Sequence, residues 1–158
     1  MIKTLQISEK KAWDLAFNAL VNNNTSEDNA KEVADALISA EFDGQAGHGL
    51  SRIPSYVEQL TAGKVKGTEA PSIISSKGSV IRVDAKNGFA YPAISLALKE
   101  ITTTCKKFGI AAASITRSHH FGQAGRHVEI LADNGLIGLM FGNTPKAIPP
   151  WGGTKALF

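Results

Sequence analysis

Cysteine is nearly absent: Cys105 is the one thiol in 158 residues. A single thiol closes no internal disulfide, which fits a reducing compartment. No apolar run approaches the roughly 18 residues of a membrane span. The opening residues, 1–6, also lack the apolar core of a secretory leader, so a cytoplasmic location is expected. Strong charge of either sign is lacking too. A net charge of +3 is too mild to argue for nucleic acid or a membrane surface as partner. There is no internal repeat and no low-complexity tract. What is present is a folded-protein composition, 43% hydrophobic and 20% charged, in a chain long enough to bury a real core.

Hydrophobic spacing divides the chain in two. Ser8 can cap a helix that buries Trp13, Ala16, Phe17 and Leu20. Asn22–Asn24 ends it. Thr25 or Ser26 caps a second helix carrying Ala30, Val33, Ala34, Leu37, Ile38 and Phe42 on one stripe. A third helix is expected from Ser51 to Ala62, stopped by Gly63, with Pro54 tolerated near its start. Residues 64–78 read as loop. From there the pattern changes. Ser79–Asp84 reads as a strand and Ala90–Phe108 as a long helix burying Ile94, Ala97, Leu98, Ile101, Cys105 and Phe108. Ile110–Thr116 is an apolar strand, a helix then ends at Asn134-Gly135, and Leu136–Phe141 is a further buried strand. The expected architecture is α/β: an N-terminal helical segment, 1–78, followed by a segment of alternating strands and helices, 79–158. Strand–helix–strand order of this kind gathers ligands at the strands' C-terminal ends.

Two stretches carry chemistry. The first is Asp43-Gly44-Gln45-Ala46-Gly47-His48-Gly49-Leu50-Ser51-Arg52. Gly47 and Gly49 are expected to let His48 sit on a sharp bend. Arg52 stands at a helix start, where the dipole already makes a positive end; a cation makes better sense there if an anion lies between. A carboxylate can take a two-pronged pair from Arg52 while His48 gives or takes a proton at a neighbouring carbon–oxygen group. The competing reading is a glycine-rich turn with a solvated histidine and a surface arginine.

The second is Arg117-Ser118-His119-His120-Phe121-Gly122-Gln123-Ala124-Gly125-Arg126, a strand end, a glycine turn and a helix start. That geometry can hold a phosphate or a carboxylate. It is not the dinucleotide fingerprint, because histidine stands where the first glycine belongs. His120 facing substrate, with glycines admitting a cofactor, competes with a tight turn that simply needs glycine. His119, His120 and His127 raise a metal reading, but their spacing is poor for zinc and no cysteine or acidic partner lies nearby; no metal is expected. In the proline- and glycine-rich stretch 142–153, Asn143 or Thr144 can hydrogen-bond a ligand or only cap a turn, and Trp151 can cover a pocket or simply pack.

At these residues the chain resembles the malate/L-lactate dehydrogenase family of the non-Rossmann type. This group includes ureidoglycolate, sulfolactate and diketogulonate dehydrogenases and cyclic-imine reductases. Three blocks in order carry the resemblance: Asp43-Gly44 through His48-Gly49 and Arg52; Ser118-His119-His120-Phe121-Gly122 with Gly125; and Pro149-Pro150-Trp151-Gly152-Gly153. It implies an NAD- or NADP-dependent oxidoreductase interconverting 2-hydroxy and 2-oxo acids. His48 then matches the acid/base and Arg52 the carboxylate holder. His120, Phe121, Gly122, Gln123 and Ala124, with Thr144, match the cofactor contacts. In some members the histidine matching His120 is the proposed proton acceptor, so His48 and His120 both stand as catalytic candidates. A homodimer is implied, as is a mixed-sheet, non-Rossmann cofactor-binding domain of which residues 79–158 would be the first part.

There are two departures. Many members carry serine before the catalytic histidine, in a relay with a later aspartate; here it is Gly47. Family chains are also about twice as long, so these residues are expected to be an N-terminal half with little activity alone. The rival functions are a non-catalytic carboxylate-binding or interaction module and a metal-dependent hydrolase.

Overall fold

The computed structural model describes residues 6–143, 146 and 148–157; Thr144 lies outside them. Ser8 caps α1 (Glu9–Val21), its hydroxyl accepting from Lys11 N at 3.3 Å. Ser26, not Thr25, caps α2 (Glu27–Phe42), with Glu27 and Asp28 in the first turn, where the helix dipole favours them. Trp13 of α1 donates to Asp35 of α2 at 2.6 Å, tying the two helices side by side. Two 3₁₀ turns, Ala46–His48 and Leu50–Arg52, precede α3 (Ile53–Thr61). The third helix thus starts two residues later than its sequence suggests. Gly63 follows it with φ +69°, the left-handed conformation that ends helices.

Residues 64–78 are not all loop. Ser72–Lys77 forms β1, paired antiparallel with β2 (Val80–Asp84) across a two-residue turn in which Gly78 has φ +59°. α4 (Ala90–Phe108) then crosses over to β3 (Ala112–Thr116), which pairs parallel with β2. The three-stranded mixed sheet has the order β1-β2-β3, and α5 (Ala124–Asp133) follows. The α/β architecture read from the sequence holds.

Two clusters make the core. One joins α1, α2 and α3 to the start of α4 through Leu20, Ala30, Val33, Leu37, Tyr56, Phe89 and Tyr91. The other packs Ile81, Val83 and Ala85 against Ala93 and Ala97 of α4. Asn29, buried, ties α2 to the segment before β1 by donating to Gly67 O at 2.7 Å and Glu69 O at 3.0 Å.

Several expected core positions are open. Phe42 is 69% exposed and Phe108 48%, and Trp13, Phe17, Leu98, Ile101 and Cys105 are half-buried. The fully buried residues of α4 end at Ala97; Ile101 packs at the margin of the sheet cluster, and the far end of the helix is left open among the described residues. β3 alternates exposed and half-buried residues instead of being sealed on both faces, because only the face carrying Ala113 and Ile115 packs against the α4 cluster, and Ala112, Ser114 and Thr116 on the other face are exposed. Leu136–Phe141 joins no sheet. Leu136, Gly138 and Met140 are half-buried, while Ile137, Leu139 and Phe141 are exposed. That two-residue alternation is a strand's, without a partner to hydrogen-bond. Among the described residues no helix is long and apolar enough to cross a membrane.

Candidate active site

The His48 turn is built by the end of α2. Gly44 has φ +68° and turns the chain; Gly47 and Gly49, expected to do so, have no left-handed backbone. Gly49 serves a different end: a Cβ there would run into the Glu41 carboxylate, which accepts from Leu50 N at 2.7 Å. A Cβ on Gly47 would meet nothing within 4 Å, so the family's usual serine would have room. Ser51 Oγ donates to Ala46 O at 2.5 Å and Arg52 Nε to Gly47 O at 2.5 Å. Arg52 therefore curls back over the turn that carries His48 while its two terminal amino groups make no hydrogen bond among the described residues.

The second stretch reaches the same place from the sheet. Arg117 closes β3 with φ +53° and pairs with Asp84 at the end of β2; the guanidinium holds the Asp84 carboxyl below its ordinary range. Beyond it the chain brings His120 face to face with His48, ring centroids 5.3 Å apart and planes 11° from parallel. Tyr56 Oη is 2.8 Å from His120 Nδ1 and 3.0 Å from Tyr91 Oη. Burial, then the charge of Arg52, then His48 and His119 push His120 down to about 4. A neutral imidazole is thus set beside a fixed cation.

The other histidines are committed elsewhere. His119 Nε2 lies 2.9 Å from Gln59 Oε1, an oxygen that can only accept, so His119 donates. Burial, with Lys64 and Arg52, pushes it down to about 4. His127 is 3% exposed and donates from Nε2 to Phe121 O at 2.8 Å; it fastens the loop to α5. Burial keeps it below the usual imidazole range. Of the four histidines, His48 is the one with no hydrogen-bonding partner among the described residues.

Gly122 has φ +71°, and a Cβ on it would sit 2.7 Å from Tyr91 Oη. Glycine is demanded there by both the backbone and the tyrosine. Gln123 precedes α5 but does not cap it; its amide donates to Asp43 Oδ2 at 2.6 Å and reaches Ser39 Oγ at 3.4 Å. The first-turn N–H groups of α5 are thereby left without a side-chain acceptor, with Arg126 and no acid in that turn. Phe121 and Asn143 line a cavity of about 580 Å³ whose floor is α4 and β3, among them Ile94, Ala97 and Ile115. Trp151 is fully exposed and covers no pocket.

Sequence reasoning passed over Tyr56, Tyr91 and Gln59. The available signal was slight: Tyr56 stands four residues after Arg52 on a helix, hence on the same face, and is one of only two tyrosines.

A three-stranded mixed sheet with helices, a histidine–arginine cluster, and a strand–turn–helix that is not the dinucleotide fingerprint make this an α/β protein outside the classical dinucleotide-binding pattern. The particular family follows from comparison. The chain belongs to the malate/L-lactate dehydrogenase family, whose model matches residues 7–158. It is 44% identical over 152 residues to a (2R)-3-sulfolactate dehydrogenase (NADP(+)) of Chromohalobacter salexigens, an alignment covering 96% of this chain and 45% of that protein. The crystal structure of delta1-piperideine-2-carboxylate reductase from Pseudomonas syringae superposes with a TM-score of 0.79 at 35% identity, over 84% of this chain and 40% of that one. Malate dehydrogenase from Entamoeba histolytica does so with a TM-score of 0.79 at 28% identity, over 84% and 37%. The chain thus spans under half the length of these relatives.

Proposed function

We propose that the protein is an NAD- or NADP-dependent oxidoreductase that interconverts a 2-hydroxy acid and a 2-oxo acid, with His48, Arg52 and His120 at its reacting centre. The observation that carries this reading is the stacked His48–His120 pair under the positive charge of Arg52. The relatives support the substrate class: sulfolactate, malate and the cyclic-imine carboxylate all carry a carboxylate on the carbon that is oxidised or reduced.

Arg52 is assigned the carboxylate, because its Nε is spent on Gly47 O and its two terminal amino groups remain for a planar, two-pronged acceptor. His48 is assigned the proton. In the reductive direction it gives a proton to the oxygen of the forming hydroxyl; in the oxidative direction it takes one back. The residues present also fit a nicotinamide cofactor. His120, Phe121, Gly122, Gln123 and Ala124 offer a bare backbone at Gly122 and an uncapped, acid-free start to α5, suited to a pyrophosphate; Thr144 is proposed as a further contact. When bound, the cofactor supplies or accepts the hydride, and the protein supplies orientation, the anion clamp and the proton.

A cytoplasmic location and a homodimer complete the proposal. The exposed apolar row Ile137, Leu139 and Phe141 supports the view that this surface is covered in the working enzyme. The test is a fluorescence titration of the full-length protein with NADPH and NADH, followed by absorbance at the reduced nicotinamide band after adding a 2-oxo acid. Cofactor binding with oxidation on adding the acid is expected. Acid binding without cofactor binding would make the protein a carboxylate-binding module instead.

A further inference from the structure

The buried hydroxyls behind His120 decide where its hydrogen sits. Tyr91 is 2% exposed and Tyr56 1%. Among the described residues, the hydroxyl of Tyr91 has one hydrogen-bonding partner, Tyr56 Oη at 3.0 Å. Tyr56 Oη has two, Tyr91 and His120 Nδ1 at 2.8 Å. Burial raises the pKa of both phenols, so each keeps its hydrogen. A buried hydroxyl hydrogen left without an acceptor is costly. If Tyr91 is to place its hydrogen, it must donate to Tyr56. Tyr56, having one hydrogen, then donates to His120 Nδ1. Nδ1 is therefore bare. A neutral imidazole carries its hydrogen on the other nitrogen, and among the described residues Nε2 has no hydrogen-bonding partner and is not one of the sealed polar atoms.

We propose that the Tyr91–Tyr56 chain locks His120 as the neutral tautomer with hydrogen on Nε2, making Tyr56 a positioning residue and His120 a hydrogen-bond donor to the ligand instead of a proton acceptor. The opposite chain, in which His120 donates from Nδ1 through Tyr56 to Tyr91, strands the Tyr91 hydrogen in the core. The lock also explains Gly122: its missing Cβ leaves the space that Tyr91 Oη needs. Resting on the oxidoreductase reading, the consequence for the site is a division of labour. His120 Nε2–H holds a substrate oxygen in place, and the proton that moves belongs to His48. The charged and titratable groups around His120 are Arg52, His48 and His119. All three oppose protonation and so reinforce the lock.

The test reads nitrogen protonation directly and needs neither cofactor nor turnover. Long-range proton–nitrogen correlation spectra of the ¹⁵N-labelled full chain at neutral pH distinguish bare from protonated ring nitrogens. With four histidines, loss of one set of signals in His120→Gln assigns the residue. The expected result is Nδ1 bare and Nε2 protonated. In Tyr56→Phe, which keeps the ring in the core, His120 is expected to shift toward a mixture of tautomers. Its titration midpoint should rise above the wild-type value, because Nδ1 loses a donor that favours the neutral ring, while burial and Arg52 still hold it below the ordinary range. His127, tied to Phe121 O, stays unchanged. Tyr91→Phe keeps the tautomer, with a smaller rise. A wild-type His120 carrying its hydrogen on Nδ1, or a Tyr56→Phe spectrum matching wild type, overturns the proposal. Should Tyr56→Phe fail to fold, the wild-type and Tyr91→Phe spectra still decide. The correct tautomer in a protein that oxidises no cofactor would fault only the oxidoreductase reading; active enzyme with the wrong tautomer would fault only the lock.

Discussion

The helical side of the molecule and the outer side of its sheet differ in closure. On the helical side, Leu20, Val33, Leu37, Tyr56, Phe89 and Tyr91 are almost wholly sealed, drawn from α1, α2, α3 and α4 with the residue before it. On the outer side, Ile110 is 73% exposed and Ile137 97%, and the 580 Å³ cavity is floored by residues of α4 and β3. The two catalytic candidates lean on the sealed side: His120 is held there by Tyr56. The loop proposed for the cofactor runs from the sealed side toward the open one, with Phe121 lining the cavity. The proposed proton site thus backs onto sealed core and the proposed cofactor site onto an open cavity.

The comparison can be broken from either side. The largest expected effect is catalytic. In the active full-length enzyme, His48→Ala should lower turnover by about 100-fold or more with little change in melting temperature, because His48 is half-buried and bonded to nothing that holds the fold. Near-normal turnover removes it from the mechanism. Arg52→Lys should mainly raise KM, since the planar fork is lost; an unchanged KM argues against carboxylate clamping. Next, Leu37→Ala on the sealed side should cost about 2–5 kcal/mol by denaturant unfolding. A cost under about 1 kcal/mol would mean that this core is looser than its burial indicates.

Gly122→Ala should cost about 2 kcal/mol, combining left-handed strain with crowding of Tyr91; no loss would show that the loop can move away. Acid comes next. His119, His120 and His127 are all held below the usual imidazole range, so the unfolded chain binds their protons first. Stability should therefore fall as pH drops from about 6.5 to about 4 and be insensitive to these groups above that window. The lowered carboxyl of Asp84 contributes only at still lower pH. Melting temperatures across the window check this, and His119→Gln should flatten the slope. A flat wild-type profile contradicts it. The smallest effect belongs to the open side: Phe141→Ser should change stability by no more than about 0.5 kcal/mol. A loss comparable with Leu37→Ala would show that the segment packs after all.

Much of the fold is legible in residue pattern. Ser8 and Ser26 announce two helices, Gly109 ends α4 with φ +79°, and the β2–α4–β3 order is as expected. β1 escapes because Ser72-Ile73-Ile74-Ser75-Ser76-Lys77 has no clean alternation; a bulge between Ile73 and Ser75 breaks the period on which such readings rest. Leu136–Phe141 has a strand's alternation and lacks only a neighbour, which no local pattern supplies. At the site, Arg52 and the two histidine stretches stand out by residue type. The Tyr56–His120 bond does not, since it joins positions 64 apart, and proximity of that kind is made by the packing of α3 against the loop after β3.

The unfinished edge of the sheet has a practical side. β3 presents its outer row of N–H and C=O groups to no strand among the described residues, and residues 136–141 are already extended and apolar on both faces. Open rows of this type accept any free strand that arrives. Wherever that row stays uncovered, edge-to-edge association is the expected hazard, and a lysine or proline introduced on it is the direct way to suppress it.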